Sequence, residues 1–322
     1  MSVTTEQAEW FSQTFEQLVA NVEQAVVGKT EVVRLAFVTL LAEGHLLLED
    51  FPGTGKTSLA RAIAQTIQGR HQRIQFTPDL LPSDVTGVTI FDQRAQEFEF
   101  HRGPIFANVV LADEINRASP KTQSALLEVM EESQVTVDGV THRVEQPFIV
   151  IATQNPIEQA GTYRLPEAQL DRFLVKTTLG YPAHDDTVRI LATAPRGKAA
   201  TVVNPIISGE NVLHLINLAQ QVHVEQPILE YVAALTEGTR TAPEVVLGTS
   251  VRAGRALVRA ARAWALSYGR TYVVPDDVKA LAVPVLAHRM VLDPEEDFRG
   301  TTSEEVVRRV LERVPVPMQQ VS

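Results

Sequence analysis

The chain has no cysteine among its 322 residues. That removes disulfides and thiolate metal sites, and leaves oxygen donors and histidine for any metal chemistry. Positive charge is also in short supply. Lys and Arg number 29 against 39 Asp and Glu, a formal net charge of −10. Sequence-blind nucleic-acid binding draws on a strong positive field, so this balance disfavours it. Long apolar runs are missing too. The most apolar neighbourhood, Leu35 to Leu48, is interrupted by Glu43 and His45, which argues against a membrane span. The stretch from Met1 to Ala20 carries Glu6, Glu9 and Glu16 without a basic start or an apolar core. No signal peptide is therefore expected, and the expected compartment is cytoplasmic.

What remains is an ordinary globular composition, 44% hydrophobic and 21% charged, on a chain long enough for two domains. Residues 1–25 read as an N-terminal helical segment, with Phe11, Phe15, Leu18 and Val22 on one stripe. Short apolar strands then alternate with helical runs. Leu46 to Leu48, Arg73 to Phe76, Val109 to Ala112, Phe148 to Ala152 and Phe173 to Val175 are the expected strands. Near-continuous apolar runs such as the third and fourth suit a parallel sheet buried on both faces. The alternation predicts a layered α/β body over 26–193, with ligand chemistry at the carboxyl ends of the strands. Past Pro182 the periodicity turns helical. Residues 194–209, rich in breakers, are the expected linker, 210–314 a small all-helical domain, and 315–322 a tail. Two insertions interrupt the body. One, 77–87, holds Pro78, Pro82, Ser83 and Gly87. The other, 134–144, alternates Val135, Val137, Val140 and Val144 around Asp138-Gly139, which predicts a hairpin.

The most informative stretch is Glu49-Asp50-Phe51-Pro52-Gly53-Thr54-Gly55-Lys56-Thr57-Ser58. Strand, glycine loop and helix follow in the order a phosphate-binding loop requires. Gly53 and Gly55 let successive N–H groups turn toward one anion, and the helix beginning near Lys56 adds its positive end. Lys56 can reach the outer phosphates, and the Thr57 hydroxyl can ligate Mg²⁺. Asp50 stands where the full pattern has its first glycine. The plain alternative is a glycine-rich turn before a helix.

A second element answers the first. The strand ending Val109-Val110-Leu111-Ala112 delivers Asp113 and Glu114. Phosphoryl transfer needs a placed cation and an oriented water, for which Asp113 suits the metal and Glu114 the base. Asn155, just past the next strand, carries a neutral amide suited to the attacking water or a terminal phosphate; a turn residue before Pro156 is its alternative. Arg172 can neutralise transition-state charge from the same or a neighbouring subunit, or merely pair with Asp171 or Glu167. Arg117 and Arg164 compete for related roles. Thr249 or Ser250 reads as an N-cap, placing Arg252 in a helix's first turn, where a cation is disfavoured unless an anion compensates. Arg255, Arg259 and Arg262 continue along that helix and read as a solvated face.

These segments, with Gln123 to Glu132, Ala152 to Pro156 and Leu165 to Phe173, resemble AAA+ ATPases, and within them the MoxR group. The resemblance runs from Val26 to Leu292. It implies a P-loop domain with a five-stranded parallel sheet and a helical lid. It also implies ATP and Mg²⁺ as ligands, with Gly53, Thr54, Gly55, Lys56, Thr57 and Ser58 as the phosphate-binding set. Asp113 and Glu114 would be Walker B, Asn155 sensor 1, Arg172 the arginine finger and Arg252 sensor 2. Val27 and Gly28 would line the adenine pocket. The 77–87 insertion looks like the helix-2 insert, and the 134–144 hairpin like the pre-sensor-1 hairpin. Val251 and Arg164 stand where the family often has proline. Such proteins assemble as rings, usually hexamers, and act as chaperone-like remodellers, often beside a von Willebrand factor A domain partner. A remodeller that assists maturation, metal insertion or assembly of clients is the leading expectation. A DNA-associated motor and a nucleotide-switched scaffold are the alternatives.

Overall fold

A computed structural model describes residues 3–155, 163, 165–193 and 203–317. Its elements run α1 (Thr5–Glu23), α2 (Thr30–Leu41), β1 (Leu46–Glu49), α3 (Lys56–Thr66), β2 (His71–Gln75), α4 (Pro82–Thr86), β3 (Gly87–Asp92) and β4 (Glu97–Arg102). There follow β5 (Val109–Asp113), α5 (Pro120–Glu132), β6 (Gln134–Val137), β7 (Val140–Arg143), β8 (Ile149–Gln154), α6 (Glu167–Leu170), β9 (Val175–Thr177) and α7 (His184–Thr193). The chain continues with α8 (Gly209–Gln220), α9 (Gln226–Arg240), β10 (Val245–Leu247), α10 (Val251–Ser267), α11 (Pro275–Leu286), β11 (Val291–Leu292), α12 (Pro294–Phe298) and α13 (Ser303–Arg313). These elements gather into two units. One comprises 1–16, 166–176 and 214–322, the other 17–165 and 177–213. Neither unit is contiguous along the chain, unlike the segments expected from the sequence. Phe173 shows the local reason: its carbonyl is bonded by His288 Nε2 at 3.0 Å and by Arg289 Nη2 at 2.6 Å.

The main sheet has five strands in the order β2-β5-β8-β1-β9. The pairings β2–β5, β5–β8 and β8–β1 are parallel. Four overlap the expected strands over most of their length, while β9 shares only Val175 with the expected Phe173 to Val175. Every residue of β5 is buried, as are Ile149 to Thr153 of β8 and Leu46 to Leu48 of β1. The outer strand β2 buries Ile74 alone, as befits an edge. Helix α3 buries Leu59, Ala60, Ala62, Ile63 and Ala64. Ser119 starts α5 by accepting the N–H of Thr122, and Pro120 fills the first position, where its missing N–H costs nothing.

Two hairpins branch from this unit. At 134–143, Asp138 and Gly139 both take positive φ, 51° and 78°, the backbone of a type I′ turn. The second hairpin, β3 with β4, lies beyond the expected 77–87 insertion and was not expected from the sequence. Within 77–87 the chain forms α4. Phe100 of β4 stacks on His142 of β7 with ring centroids 4.0 Å apart.

In the other unit α9 comes close to α10 and α13 at glycines. A Cβ on Gly238 of α9 would come within 2.8 Å of Val310 in α13. Asp277 fixes the start of α11 by accepting the N–H of Val274 and pairing with Arg270. Besides its helices this unit carries the antiparallel ladder of β10 and β11. The all-helical expectation missed it because strands of three and two residues carry no readable periodicity. Among the described residues no helix is long and apolar enough to cross a membrane.

Candidate functional site

The chain leaves β1 at Glu49 and enters a loop shaped by Gly53 at φ 84° and Gly55 at φ 100°. Side chains are strained at such angles. Gly55 directly precedes α3, so the first turn, from Lys56 through Ser58, presents N–H groups that no helical carbonyl can take. A Cβ on Gly53 would meet nothing within 4 Å, and one on Gly55 only a Leu179 methyl at 3.8 Å. The loop is open to solvent at these points. Lys56 Nζ donates to Phe51 O at 2.8 Å and to Asp50 O at 3.3 Å, and the Thr54 hydroxyl donates to Phe51 O at 3.3 Å.

Asp50 has a structural task that the glycine of the full pattern could not perform. It is 3% exposed, and its carboxylate accepts the backbone N–H groups of Leu179 and Gly180. The Phe51 ring stacks on Tyr181 at 6.1 Å, and Lys29 Nζ donates to Tyr181 O at 2.7 Å. Val27 is half-buried beside Gly28. Gly28 has φ 74°, which strains any side chain, and a Cβ there would also have to displace the Asp186 carboxylate of α7, 1.9 Å away.

At the end of β5, Asp113 is held on both oxygens. Arg73 donates to Oδ2 from Nη2 at 2.5 Å and Nε at 3.2 Å, while the Thr153 hydroxyl donates to Oδ1 at 2.7 Å. The Thr153 oxygen in turn accepts the N–H of Glu114 at 2.8 Å. Glu114 sits at φ 56°, which turns the chain out of the strand. Its Oε2 accepts Gln75 Nε2 at 2.8 Å and Arg117 Nη1 at 3.0 Å. Asn155 follows β8 directly and is half-buried. Because Leu48 pairs with Thr153 and Ala112 with Ala152, strands β1, β8 and β5 end abreast. The loop at Gly53–Ser58, Asn155 and the Asp113–Glu114 pair therefore share one edge of the sheet, the usual ligand edge of such folds.

A cation of the Mg²⁺ class fits this edge. The Thr57 hydroxyl and Asp113 carboxylate are hard oxygen donors, and the loop beside them is open. Among the described residues no cluster of three or more His, Asp or Glu is arranged to hold a metal. Phosphate oxygens and water would complete such a cation's shell.

Arg172 and Arg252 belong to the other unit. Ser250 caps α10 by accepting the N–H of Ala253 at 3.3 Å, so Arg252 does stand in the first turn. Its Nε lies 3.7 Å from Asp171 Oδ2. Arg172 is the next residue after Asp171, and both arginines line one cleft with Arg255, Arg259 and Arg289. Arg164 lies outside the described residues. Sequence reasoning missed Arg73, Gln75, Thr153 and Arg289. Only the strand register, which sets Gln75 opposite Asp113, could have drawn attention to the first two.

Known proteins share this fold. Residues 45–175 match the ATPase family associated with various cellular activities (AAA), and residues 237–310 match the AAA lid domain. A Bacillus subtilis protein known as uncharacterized protein YeaC is 49% identical over 94% of each chain. Chaperone MoxR1 of Mycobacterium tuberculosis is 41% identical over 94% of this chain and 82% of its own. Protein MoxR of Paracoccus denitrificans is 32% identical over 96% and 98%. The crystal structure of a candidate ATPase from Cytophaga hutchinsonii superposes with a TM-score of 0.91 at 36% identity, over 97% of this chain and 98% of that one.

Proposed function

The chain belongs to the MoxR family of AAA+ ATPases, and on that premise we propose that it hydrolyses ATP to ADP and phosphate and uses the cycle to remodel client proteins. The supporting observation is the shared edge where β1, β8 and β5 end abreast. In this reading the N–H groups of Gly53 to Ser58 and the Lys56 ammonium hold the phosphates, and Val27 and Gly28 flank the base. Thr57 and Asp113 would hold Mg²⁺, which when bound neutralises phosphate charge. Glu114 accepts the proton of the attacking water and Asn155 orients that water. Arg172, offered by a neighbouring subunit, compensates charge on the transferred phosphoryl, and Arg252 contacts the phosphates.

The assembly in this reading is a ring of like chains, a hexamer in the cytoplasm. The body over 26–193 is the motor, 210–314 the lid, and the 77–87 insertion and 134–144 hairpin the client-facing parts. A von Willebrand factor A domain protein is the proposed partner. Assistance to maturation, metal insertion or assembly of a client is the proposed task, and the chaperone name of the mycobacterial relative supports it.

The test is phosphate release by the purified chain with magnesium and ATP. Glu114→Gln should keep nucleotide and lose turnover by about 10²-fold or more. Mixing Arg172→Ala with Lys56→Ala protein should restore part of the rate if the arginine acts across subunits. Wild-type protein that neither retains adenine nucleotide nor releases phosphate would end the proposal.

A further inference from the structure

Helix α5 carries a buried glutamine to which the ATPase reading gives no task. Gln123 is 0% exposed. Its Nε2 donates to three backbone carbonyls, those of Ile115, Ala118 and Tyr163, each at 3.2 Å. An amide nitrogen carries two hydrogens, so the three acceptors share them. Because all three partners are carbonyls, the nitrogen end of the amide is the end that faces them. The other end is idle: Oε1 is buried and makes no hydrogen bond among the described residues. Burying an amide with an unmet oxygen costs free energy that a leucine or methionine of similar size would not incur. Packing therefore does not account for the residue, whereas the three carbonyls do.

Those carbonyls converge on one short piece of chain. Ile115 opens, and Ala118 directly follows, the single turn Ile115–Arg117 that comes after Glu114. Tyr163 is tied to the same turn a second time, its N–H donating to Asn116 O at 2.7 Å. Gln123 thus fastens the turn to α5 and to Tyr163 at once. The turn in its place holds Glu114. Arg117 donates from Nη1 to Glu114 Oε2 at 3.0 Å and from its N–H to Glu114 O at 2.9 Å. Glu114 stands at φ 56°, a backbone state that a residue with a side chain keeps when its surroundings impose it. All of these residues lie in the unit formed by 17–165 and 177–213.

We propose that Gln123 is a positioning residue for Glu114: by pinning the turn Ile115–Arg117 it sets where the Glu114 carboxylate is held. The inference rests on the reading of Glu114 as the base that activates water, and adds the element that keeps that base in register. A reacting group displaced by about 1 Å loses up to about a hundredfold in rate. Nucleotide affinity, which that reading assigns to the loop at β1, does not depend on the turn. Thr122, one residue earlier, supplies the contrast. Its hydroxyl donates to Leu80 O at 2.7 Å, which ties α5 to the 77–87 insertion instead of to Glu114.

The experiment measures kcat and KM for ATP, affinity for a fluorescent ADP, and the denaturant midpoint, all on the full-length chain. Gln123→Met keeps the volume and removes both donors. It should lower kcat by about ten- to a hundredfold and leave KM and ADP affinity within about twofold. Thr122→Val removes a buried hydrogen bond from the same stretch of α5 and should shift the midpoint without moving kcat. In a Glu114→Gln background, adding Gln123→Met should change the residual rate by less than about twofold, because both changes act at one carboxylate. Gln123→Glu keeps the size and serves if the methionine protein does not fold. Burial among carbonyls keeps the introduced carboxyl protonated to higher pH, and only that form can donate, so its kcat relative to wild type should fall as pH rises. The proposal is overturned if Gln123→Met leaves kcat intact, weakens ADP binding as much as turnover, or multiplies fully with Glu114→Gln. It is equally overturned if Thr122→Val slows turnover as much, or if Gln123→Glu matches wild type at every pH. Wild-type protein without phosphate release would end the ATPase reading and this inference together, whereas wild-type turnover indifferent to Gln123 ends the inference alone.

Discussion

The hydroxyl of Thr153 donates to Asp113 Oδ1 at 2.7 Å while its oxygen receives the N–H of Glu114 at 2.8 Å. One buried threonine on β8 thus fixes both acids at the end of β5. Thr153→Val keeps the shape and removes both bonds, leaving a buried donor and acceptor unmet. We expect a loss of about 1–3 kcal/mol in denaturant unfolding, together with slower phosphate release. Thr153→Ser should recover most of both.

Arg73 occupies the same carboxylate, at 2.5 Å from Oδ2, with about half its own side chain exposed. It competes with any cation that Asp113 is to serve. Arg73→Met should therefore lower the magnesium concentration for half-maximal turnover by about two- to fivefold, the scale of a partly screened ion pair. An unchanged or higher magnesium requirement would show that the arginine is no competitor.

Asp50→Gly would restore the phosphate-loop pattern and yet weaken the protein. The N–H groups of Leu179 and Gly180 lose their acceptor, at a cost of about 1–3 kcal/mol. Chemical denaturation should show that loss, and a fluorescent nucleotide should bind less tightly. Asp50→Asn, which keeps a carbonyl oxygen there, should fall between the two.

His288 gives the stability a pH dependence. Burial, and then the charge of Arg289, hold its pKa well below the ordinary value. The unfolded chain then binds the proton more readily than the folded one, so stability falls as pH drops below about 6.5, by at most ~1.4 kcal/mol per unit. Unfolding midpoints at pH 7.5 and at pH 5.5, taken as about one unit either side of the unfolded value, should differ more in wild-type protein than in His288→Gln. Equal slopes would remove the assignment.

What could be read from the sequence was what repeats locally. The apolar runs of β1, β5 and β8 announced a buried parallel sheet, and the order of glycines, lysine and threonine announced the loop before α3. The cap at Ser250 placed Arg252 correctly. The β3–β4 hairpin escaped because it buries neither face. Phe98 is 74% exposed, and only Gly87 of the twelve strand residues is buried, so the alternation Glu97-Phe98-Glu99-Phe100 went unread as a strand. Thr153 and Arg73 meet Asp113 across 40 residues of chain, and Arg289 reaches Phe173 across 116. Such partners follow from strand register and helix packing, which no local window contains. Arg255 and Arg259, read from spacing as a solvated face, are both exposed.

The contact between Phe100 and His142 couples two projections that spring from different places in the chain. From β4 the chain runs on to β5, and from β7 to β8. Replacing either ring would therefore alter the surroundings of both ribbons, which lead into β5, the strand that ends at Asp113, and β8, which ends just before Asn155.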